Sequence, residues 1–390
     1  MSFILLNVVV PNEVVMALRV AAVGMGLYLV GSTFLSAVKT VVLPRATSQK
    51  ITRTMFIVIR RMFDFVAHGK RDFADRDRIL ALYAPLTFVL LPLMWLILTM
   101  AGFTAVQWGI NGGSVRDSFL VSGSSMLTLG VKFRNDLPSA AFSYLQAAIG
   151  LVLVALLISY LPTIYGSFSR REMLVGMLDS RAGIPPSPYE LLVRYERIGA
   201  SGIIDTDLFA KWEEWFAELE ESHTSFAALV FFRSPRPERS WITAAGCVLD
   251  TAALHLSTVD RPFSGQAALC CRQGFLALRR LATMYGIPVN HDPSPTDPIS
   301  VTRREYDNML VELRAAGIPI RADIDQAWAD FVGWRVNYDS ALVGIAKLVV
   351  APEGRWSSDR EGDRLVPKLR RGPGGQALSR KHGASRTGRK

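Results

Sequence analysis

The sequence has little of what an enzyme or a nucleotide-dependent transporter needs. It contains three cysteines and five histidines in 390 residues, and they do not follow the spacing of a zinc site. It has neither a GxGxxG fingerprint nor a GxxxxGK[ST] phosphate-binding loop, which argues against a dinucleotide domain and against transport driven by ATP. No nucleophile stands beside a base in any segment that we can recognise. We therefore predict no catalytic residue, no cofactor and no metal, and hence no enzyme.

Charged residues are missing from two long stretches of the chain. Residues 79–106 and 138–165 contain no Asp, Glu, Lys or Arg, and each is longer than the roughly 20 residues with which a helix crosses a bilayer. A third apolar stretch, residues 20–43, carries only Lys39, near an end where its stem can extend toward lipid headgroups. We predict three transmembrane helices. Because 20% of the chain is charged, a large part outside these helices is expected to be water-soluble.

The basic residues are distributed unevenly around these spans. Residues 44–78 hold nine Lys and Arg residues, whereas residues 107–137 hold three. Arg170 and Arg171 follow the third span. The positive-inside rule then places residues 44–78 and everything after the third span in the cytoplasm. Since much of the net charge of +10 lies beside the membrane or in the tail, we expect a lipid partner and no nucleic acid.

We assign the first span and the residues before it to an N-terminal region, residues 1–43. Two segments flank this span. Residues 1–10 are apolar, too short to cross a bilayer and without a basic leader, and we expect them in the membrane interface. Residues 44–78 form a basic linker with apolar residues at helical spacing, namely Ile51, Met55, Phe56, Ile59, Met62, Phe63 and Val66. A basic amphipathic helix of this kind lies on the membrane surface or packs under the cytoplasmic domain.

The sequence between the second and third spans predicts a short helix. Glycines and Asn111 make a turn, Ser114 can cap a helix, and Asp117 lies three residues further on. We expect this helix to re-enter the membrane from outside. Non-helical backbone at membrane depth is tolerated where it lines a water-filled path, so the segment after the helix is expected to line a pore.

This order of elements resembles the two-helix potassium channel family: outer helix, pore helix, filter and inner helix, over residues 79–165. The family's filter reads Thr-Val-Gly-Tyr-Gly-Asp, and here the matching place reads Thr128-Leu129-Gly130-Val131-Lys132-Phe133. The resemblance implies that carbonyls of Thr128, Leu129, Gly130 and Val131 from four subunits bind potassium or another monovalent cation. It also implies a hinge at Gly150, and Pro162 could shape a gate.

The sequence departs from this family at the outer end of the filter. Lys132 occupies the place of the second filter glycine, and four lysines at the pore mouth would repel cations unless their stems carried the charge away. A non-conducting membrane-anchored sensor or scaffold with the same fold is therefore the alternative function. Gly150 can equally be a close packing point, and Pro162 can simply end the helix before Gly166.

The second half of the chain predicts a helical cytoplasmic domain, residues 166–352, and a disordered basic tail, residues 353–390. Asp205 or Asp207 is expected to cap a helix that buries Leu208, Trp212, Trp215, Phe216 and Leu219. Thr302 is expected to open another, ended by Gly317. Further helices are predicted over residues 240–256, 265–285 and 322–346. The Glu residues of 213–221 are expected on a solvated face, and His255 and the cysteines in the core.

Taken together, the sequence predicts an all-α membrane protein with three transmembrane helices, a re-entrant pore helix and loop, and a helical cytoplasmic domain. The expected function is passive conduction of cations, potassium first, by a homotetramer in a bacterial plasma membrane, which the chain crosses several times. The pore module is expected to span residues 79–165.

Overall fold

The computed structural model describes residues 12–41, 50–68 and 73–360, and within them the protein is helical, without a strand. Val259 and Ile320 form an isolated antiparallel bridge. The predicted interfacial segment, residues 1–10, and most of the predicted tail lie outside the described residues. The all-α fold class is confirmed.

Thirteen α-helices follow one another along the described chain. They are α1 (Asn12–Val41), α2 (Lys50–His68), α3 (Phe73–Ala81), α4 (Tyr83–Asn111), α5 (Val115–Met126), α6 (Leu137–Ala182), α7 (Pro188–Arg197), α8 (Ala210–Ser225), α9 (Trp241–Ser257), α10 (Gly265–Met284), α11 (Arg303–Ala315), α12 (Ile324–Arg335) and α13 (Asp339–Val349). Short π- and 3₁₀-helical turns at Asp205–Phe209 and Ala227–Phe231 flank α8.

Three helical stretches are long and apolar enough to cross a membrane: Asn12–Val41, Asp77–Asn111 and Leu137–Ala182. The second and third contain the predicted spans 79–106 and 138–165, and the first contains residues 20–41 of the predicted span 20–43, whose last two residues lie outside the described chain. The third stretch is one helix of 46 residues, or about 69 Å at 1.5 Å per residue, twice what a bilayer requires. Pro162 lies inside it, so the alternative in which Pro162 ends the helix before Gly166 is wrong.

Glycines set the packing of α1 against α4. A Cβ atom on Gly26 would lie 2.5 Å from the carbonyl oxygen of Gly102, and one on Gly109 would lie 2.6 Å from the carbonyl oxygen of Arg19. Small residues allow this approach of two apolar helices, which gain no hydrophobic free energy by meeting in lipid. Because the residue numbers rise in α1 as they fall in α4, the two helices are antiparallel. Arg19 also donates to the carbonyls of Gly109 and Ile110 at 3.0 and 2.6 Å, which caps the end of α4.

The amphipathic α2 packs against the first half of α4. The rings of Phe56 and Phe88 are 6.2 Å apart between centroids, and those of Phe63 and Tyr83 are 5.9 Å apart. On the opposite side, an apolar stripe remains exposed to solvent, consisting of Val58, Met62, Phe65 and Val66. Arg60 is buried and its guanidinium lies over the rings of Tyr83 and Phe231. The helix α2 therefore contacts both α4 and the large helical domain, by which we mean residues 183–360 with helices α7 to α13.

The large helical domain is built around α9, every residue of which is buried. An ion pair between Asp250 of α9 and Arg335 of α12 lies in this core with no exposure of either side chain. Tyr338 donates to Asp250 at 2.8 Å. Burial raises the pKa of Asp250, although Arg335 and Tyr338 both oppose that shift. This network fixes α12 and α13 to the central helix, because a buried charge without its partner is costly.

The predicted helices of this domain are present, with three differences. The five apolar residues expected on one face of α8 are buried, but Asp207 binds Lys211 and Tyr195 and Asp205 accepts from Ser264, so neither caps the helix. The predicted helix 322–346 is two helices, because α12 ends at Arg335 and α13 begins at Asp339. The folded domain continues past the predicted boundary at 352, because Trp356 is buried and its carbonyl accepts from Arg335.

Candidate functional site

The helix α5 lies between α4 and α6, as the spacing of its polar residues allows. Ser114 caps its first turn by accepting from the amide of Arg116 at 3.2 Å, as the sequence predicts. Ser122 donates to the carbonyl of Met100 in α4 at 2.9 Å. Gln146 of α6 donates to the carbonyl and hydroxyl oxygens of Ser122, at 2.9 and 2.6 Å. These buried hydrogen bonds fix α5 to both long helices.

The C-terminal end of α5 contacts the first third of α6. A Cβ atom on Gly150 would lie 2.4 Å from the carbonyl oxygen of Met126, the last residue of α5. Gly150 lies thirteen residues after the start of α6 at Leu137, or about 20 Å along the helix axis. Gly150 is therefore a close packing point for α5, and a hinge at this residue stays a prediction.

The predicted filter segment follows α5 directly and has an irregular backbone. Thr128 and Gly130 adopt positive φ angles of 55° and 67°, and the conformation of Thr128 is one that a side chain resists. Leu129 is 61% exposed and Val131 is 82% exposed. Among the described residues, the carbonyl oxygens of Thr128, Leu129, Gly130 and Val131 accept no hydrogen bond from the protein. Four consecutive acceptors are thus free to bind a ligand.

Lys132 at the end of this segment turns back toward α5. Its ammonium group forms an ion pair with Asp117 in the first turn of α5, and its amide donates to the hydroxyl of Ser124 at 2.9 Å. The ring of Phe133 lies 6.2 Å from that of Tyr144 in α6. Sequence reasoning placed Lys132 at the mouth of a pore but did not find its partner.

A polar cluster joins the C-terminal end of α4 to the N-terminal end of α6. Gln107 donates to the carbonyl of Ser139 at 3.2 Å, and Asn111 donates to the hydroxyl of Ser139 at 2.7 Å. Asp136 caps α6 by accepting from the amide of Ser139 at 3.0 Å. The sequence patterns did not identify Gln107 or Gln146 as residues that hold these helices together. The signal was available, because a glutamine in an apolar helix needs a partner there.

The C-terminal half of α6 is fixed to the large helical domain by Arg171, which is 3% exposed. Its guanidinium donates to the carbonyls of Leu229 and Phe232 at 2.9 and 2.7 Å and pairs with Glu172 at 2.8 Å. The ring nitrogen Nε2 of His223 lies 3.1 Å from the same guanidinium. Burial, reinforced by Arg171, holds the pKa of His223 well below its ordinary value of 6.5, so this histidine is neutral.

Pro162 lies between Tyr160 and Ile164, which are buried against the turn at Ala227–Phe231. The loss of one backbone hydrogen bond at Pro162 does not interrupt α6. Around Pro162, α6 therefore packs against the turn at Ala227–Phe231 of the large helical domain.

Metal and thiol chemistry have no support in the described part of the chain. No group of three or more His, Cys, Asp or Glu side chains there is arranged to hold a metal ion. Cys247, Cys270 and Cys271 are free and buried, and burial raises the pKa of each thiol, which disfavours the reactive thiolate. A comparison with protein-family models, with curated proteins and with solved structures found no match.

Proposed function

We propose that the protein is a channel that conducts cations passively, potassium first, through the segment 128–131 of four subunits. The observation that carries this proposal is that four consecutive carbonyl oxygens, at Thr128, Leu129, Gly130 and Val131, accept no hydrogen bond from the described part of the chain. Rings of carbonyl oxygens can replace the hydration shell of a cation. In this proposal α5 is a re-entrant pore helix and the exposed loop is covered by three other copies.

The position of α5 supports the same function. Its last residue, Met126, lies beside Gly150 in the middle of the third span. The C-terminal end of a helix carries a partial negative charge and stabilises a nearby cation. The bilayer raises the free energy of a cation most near its middle. A helix whose C-terminal end lies at that depth therefore lowers the free energy of the cation there.

The orientation of the chain in the membrane is also part of this proposal. The basic residues of 44–78 and the pair Arg170 and Arg171 favour a cytoplasmic position for the large helical domain and an outer position for the loop. A plasma membrane of a bacterial cell is the location that we propose, with a homotetramer as the functional unit.

The test is potassium flux into liposomes containing the purified full-length protein, with Gly130→Ala as the variant. Gly130 has a φ of +67° and no atom within 4 Å of a Cβ position, so alanine changes the backbone preference alone. Gly113→Ala is the matched control, since Gly113 has a φ of +73°, is equally open and lies before α5. We expect Gly130→Ala to lower flux at least tenfold and Gly113→Ala to preserve it.

Two further measurements complete the test. Replacing potassium with sodium reports selectivity, and crosslinking in detergent should give a species of four chains. A folded wild-type protein without flux would contradict conduction and favour the non-conducting sensor or scaffold, while a crosslinked monomer or dimer would contradict the tetramer.

A further inference from the structure

Lys132 is held against α5 by two separate contacts. Its ammonium group pairs with the carboxylate of Asp117, and its amide donates to the hydroxyl of Ser124 at 2.9 Å. Both partners belong to α5. The residue before it, Val131, is 82% exposed, whereas the ammonium group of Lys132 lies against α5 at Asp117.

The local charges give this arrangement a consequence. Between the end of α4 and the start of α6 the chain carries three basic residues, Arg116, Lys132 and Arg134, and two acidic ones, Asp117 and Asp136. Asp136 is engaged as the cap of α6. Among the described residues, Asp117 is the one acidic group that pairs with a basic residue of this segment.

The pair is accessible to salt, because the side chains of Lys132 and Asp117 are 42% and 47% exposed. An ion pair at such exposure contributes little to folding. It still determines the field at the loop, since charges within a Debye length of a cation act on it, and this length is about 30 Å at 0.01 M salt and about 3 Å at 1 M.

We propose that Asp117 masks the charge of Lys132 and draws its ammonium group away from the row of carbonyls, so that the loop admits cations despite a lysine in each subunit. This inference rests on the proposed function and names the residue that makes Lys132 compatible with it. Asp117 acts here through Lys132 and is a positioning residue.

The test compares potassium flux into liposomes for Asp117→Asn, the double variant Asp117→Asn/Lys132→Met and the wild type, at low and at high salt. We expect Asp117→Asn to lower flux about tenfold near 10 mM salt, because four unmasked ammonium groups repel the cation, and by less than about twofold near 1 M salt. The double variant should recover wild-type flux at low salt. Asp75→Asn is the matched control, as Asp75 is 49% exposed and paired with Arg78 in α3, and it should conduct like the wild type.

Each other outcome overturns a defined statement. A loss of flux in Asp117→Asn that is equal at both salt concentrations and persists in the double variant would assign Asp117 a purely structural role. Wild-type flux that Asp117→Asn leaves unchanged would overturn the masking alone. Absence of flux in the folded wild type would overturn the proposed function and the masking together.

Discussion

Gly150 is a residue at which the backbones of α5 and α6 approach closely. The space for its Cβ atom is filled by the backbone of Met126, with the carbonyl oxygen 2.4 Å away, and backbone cannot move aside as a flexible side chain can. The absence of a side chain at this position therefore determines how deep α5 sits between the long helices.

We predict that Gly150→Ala lowers the free energy of unfolding by about 1–3 kcal/mol, because the added methyl group overpacks the contact with Met126. Gly31→Ala in α1 is the matched control, since no atom lies within 4 Å of its Cβ position. Thermal unfolding in detergent measures both. An equal midpoint for Gly150→Ala and the wild type would show that α5 moves without cost.

His223 is buried beside a permanent cation, and this makes it sensitive to acid. In the folded protein its pKa lies well below 6.5, because of burial first and of Arg171 second. In the unfolded chain it binds a proton near pH 6.5. The contribution to stability is therefore complete above pH 6.5 and is lost as the pH falls below it, at about 1.4 kcal/mol per pH unit.

We predict that His223→Gln loses less stability than the wild type between about pH 7.5 and about pH 5.5, since glutamine does not titrate. The measurement is the unfolding midpoint at both pH values. His291→Gln, in an exposed loop, should retain the full acid sensitivity of the wild type. A parallel loss in His223→Gln and the wild type would exclude His223 as the cause.

At the scale of elements, α6 is the connection between the loop and the large helical domain. It contacts the end of α5 at Gly150 and binds the turn before α9 through Arg171. Trp215 of α8 donates to the carbonyl of Arg171 at 3.1 Å. The same uninterrupted helix is thus fixed at two points, Gly150 and Arg171.

We predict that Arg171→Met destabilises the protein by about 3–5 kcal/mol, because it leaves Glu172 without its buried partner and two carbonyls without a donor. Arg170→Met is the matched control, since Arg170 is 58% exposed and pairs with Glu218 at the surface, where we expect at most about 1 kcal/mol. Unfolding in detergent measures the difference. Equal effects of the two substitutions would contradict the anchoring role of Arg171.

At the scale of the whole molecule, the burial of all three cysteines makes the orientation of the chain easy to measure. Cys247, Cys270 and Cys271 are at most 2% exposed, so a membrane-impermeant thiol reagent should label the wild type weakly. New cysteines at exposed positions then report the side of the membrane on which they lie.

We predict that Asn135→Cys, in the exposed loop before α6, is labelled in intact cells, because the positive-inside rule places this loop outside. Thr296→Cys, exposed in the large helical domain, should be labelled only after the membrane is permeabilised. The reverse pattern would contradict the proposed orientation.

Local patterns in the sequence predicted much of this architecture. The apolar runs predicted the spans, Ser114 predicted the start of α5, and Thr302 predicted α11, where it forms a capping box with Glu305. The extension of α6 to Ala182 was missed because Arg170 and Arg171 end the apolar run. Yet Leu174, Val175 and Leu178 beyond them kept helical spacing.

The contacts that define the candidate site were out of reach of such patterns. Lys132 and Asp117 are fifteen residues apart, and Ser122 and Gln146 are twenty-four apart. Whether they meet depends on the depth of α5, which the contact at Gly150 sets. Tertiary placement, rather than any local preference, therefore decides which polar residues become partners.

The continuity of α6 carries a thermodynamic consequence for the whole molecule. If cations in the loop shift α6 by changing its contact with α5, the same shift reaches Arg171 and the domain around α9. Suppose that a ligand of that domain changes the affinity of the loop for cations. Linkage then requires that cations in the loop change the affinity of the domain for that ligand by the same factor. Potassium would in that case be an effector of the domain as much as the ion that passes through the loop.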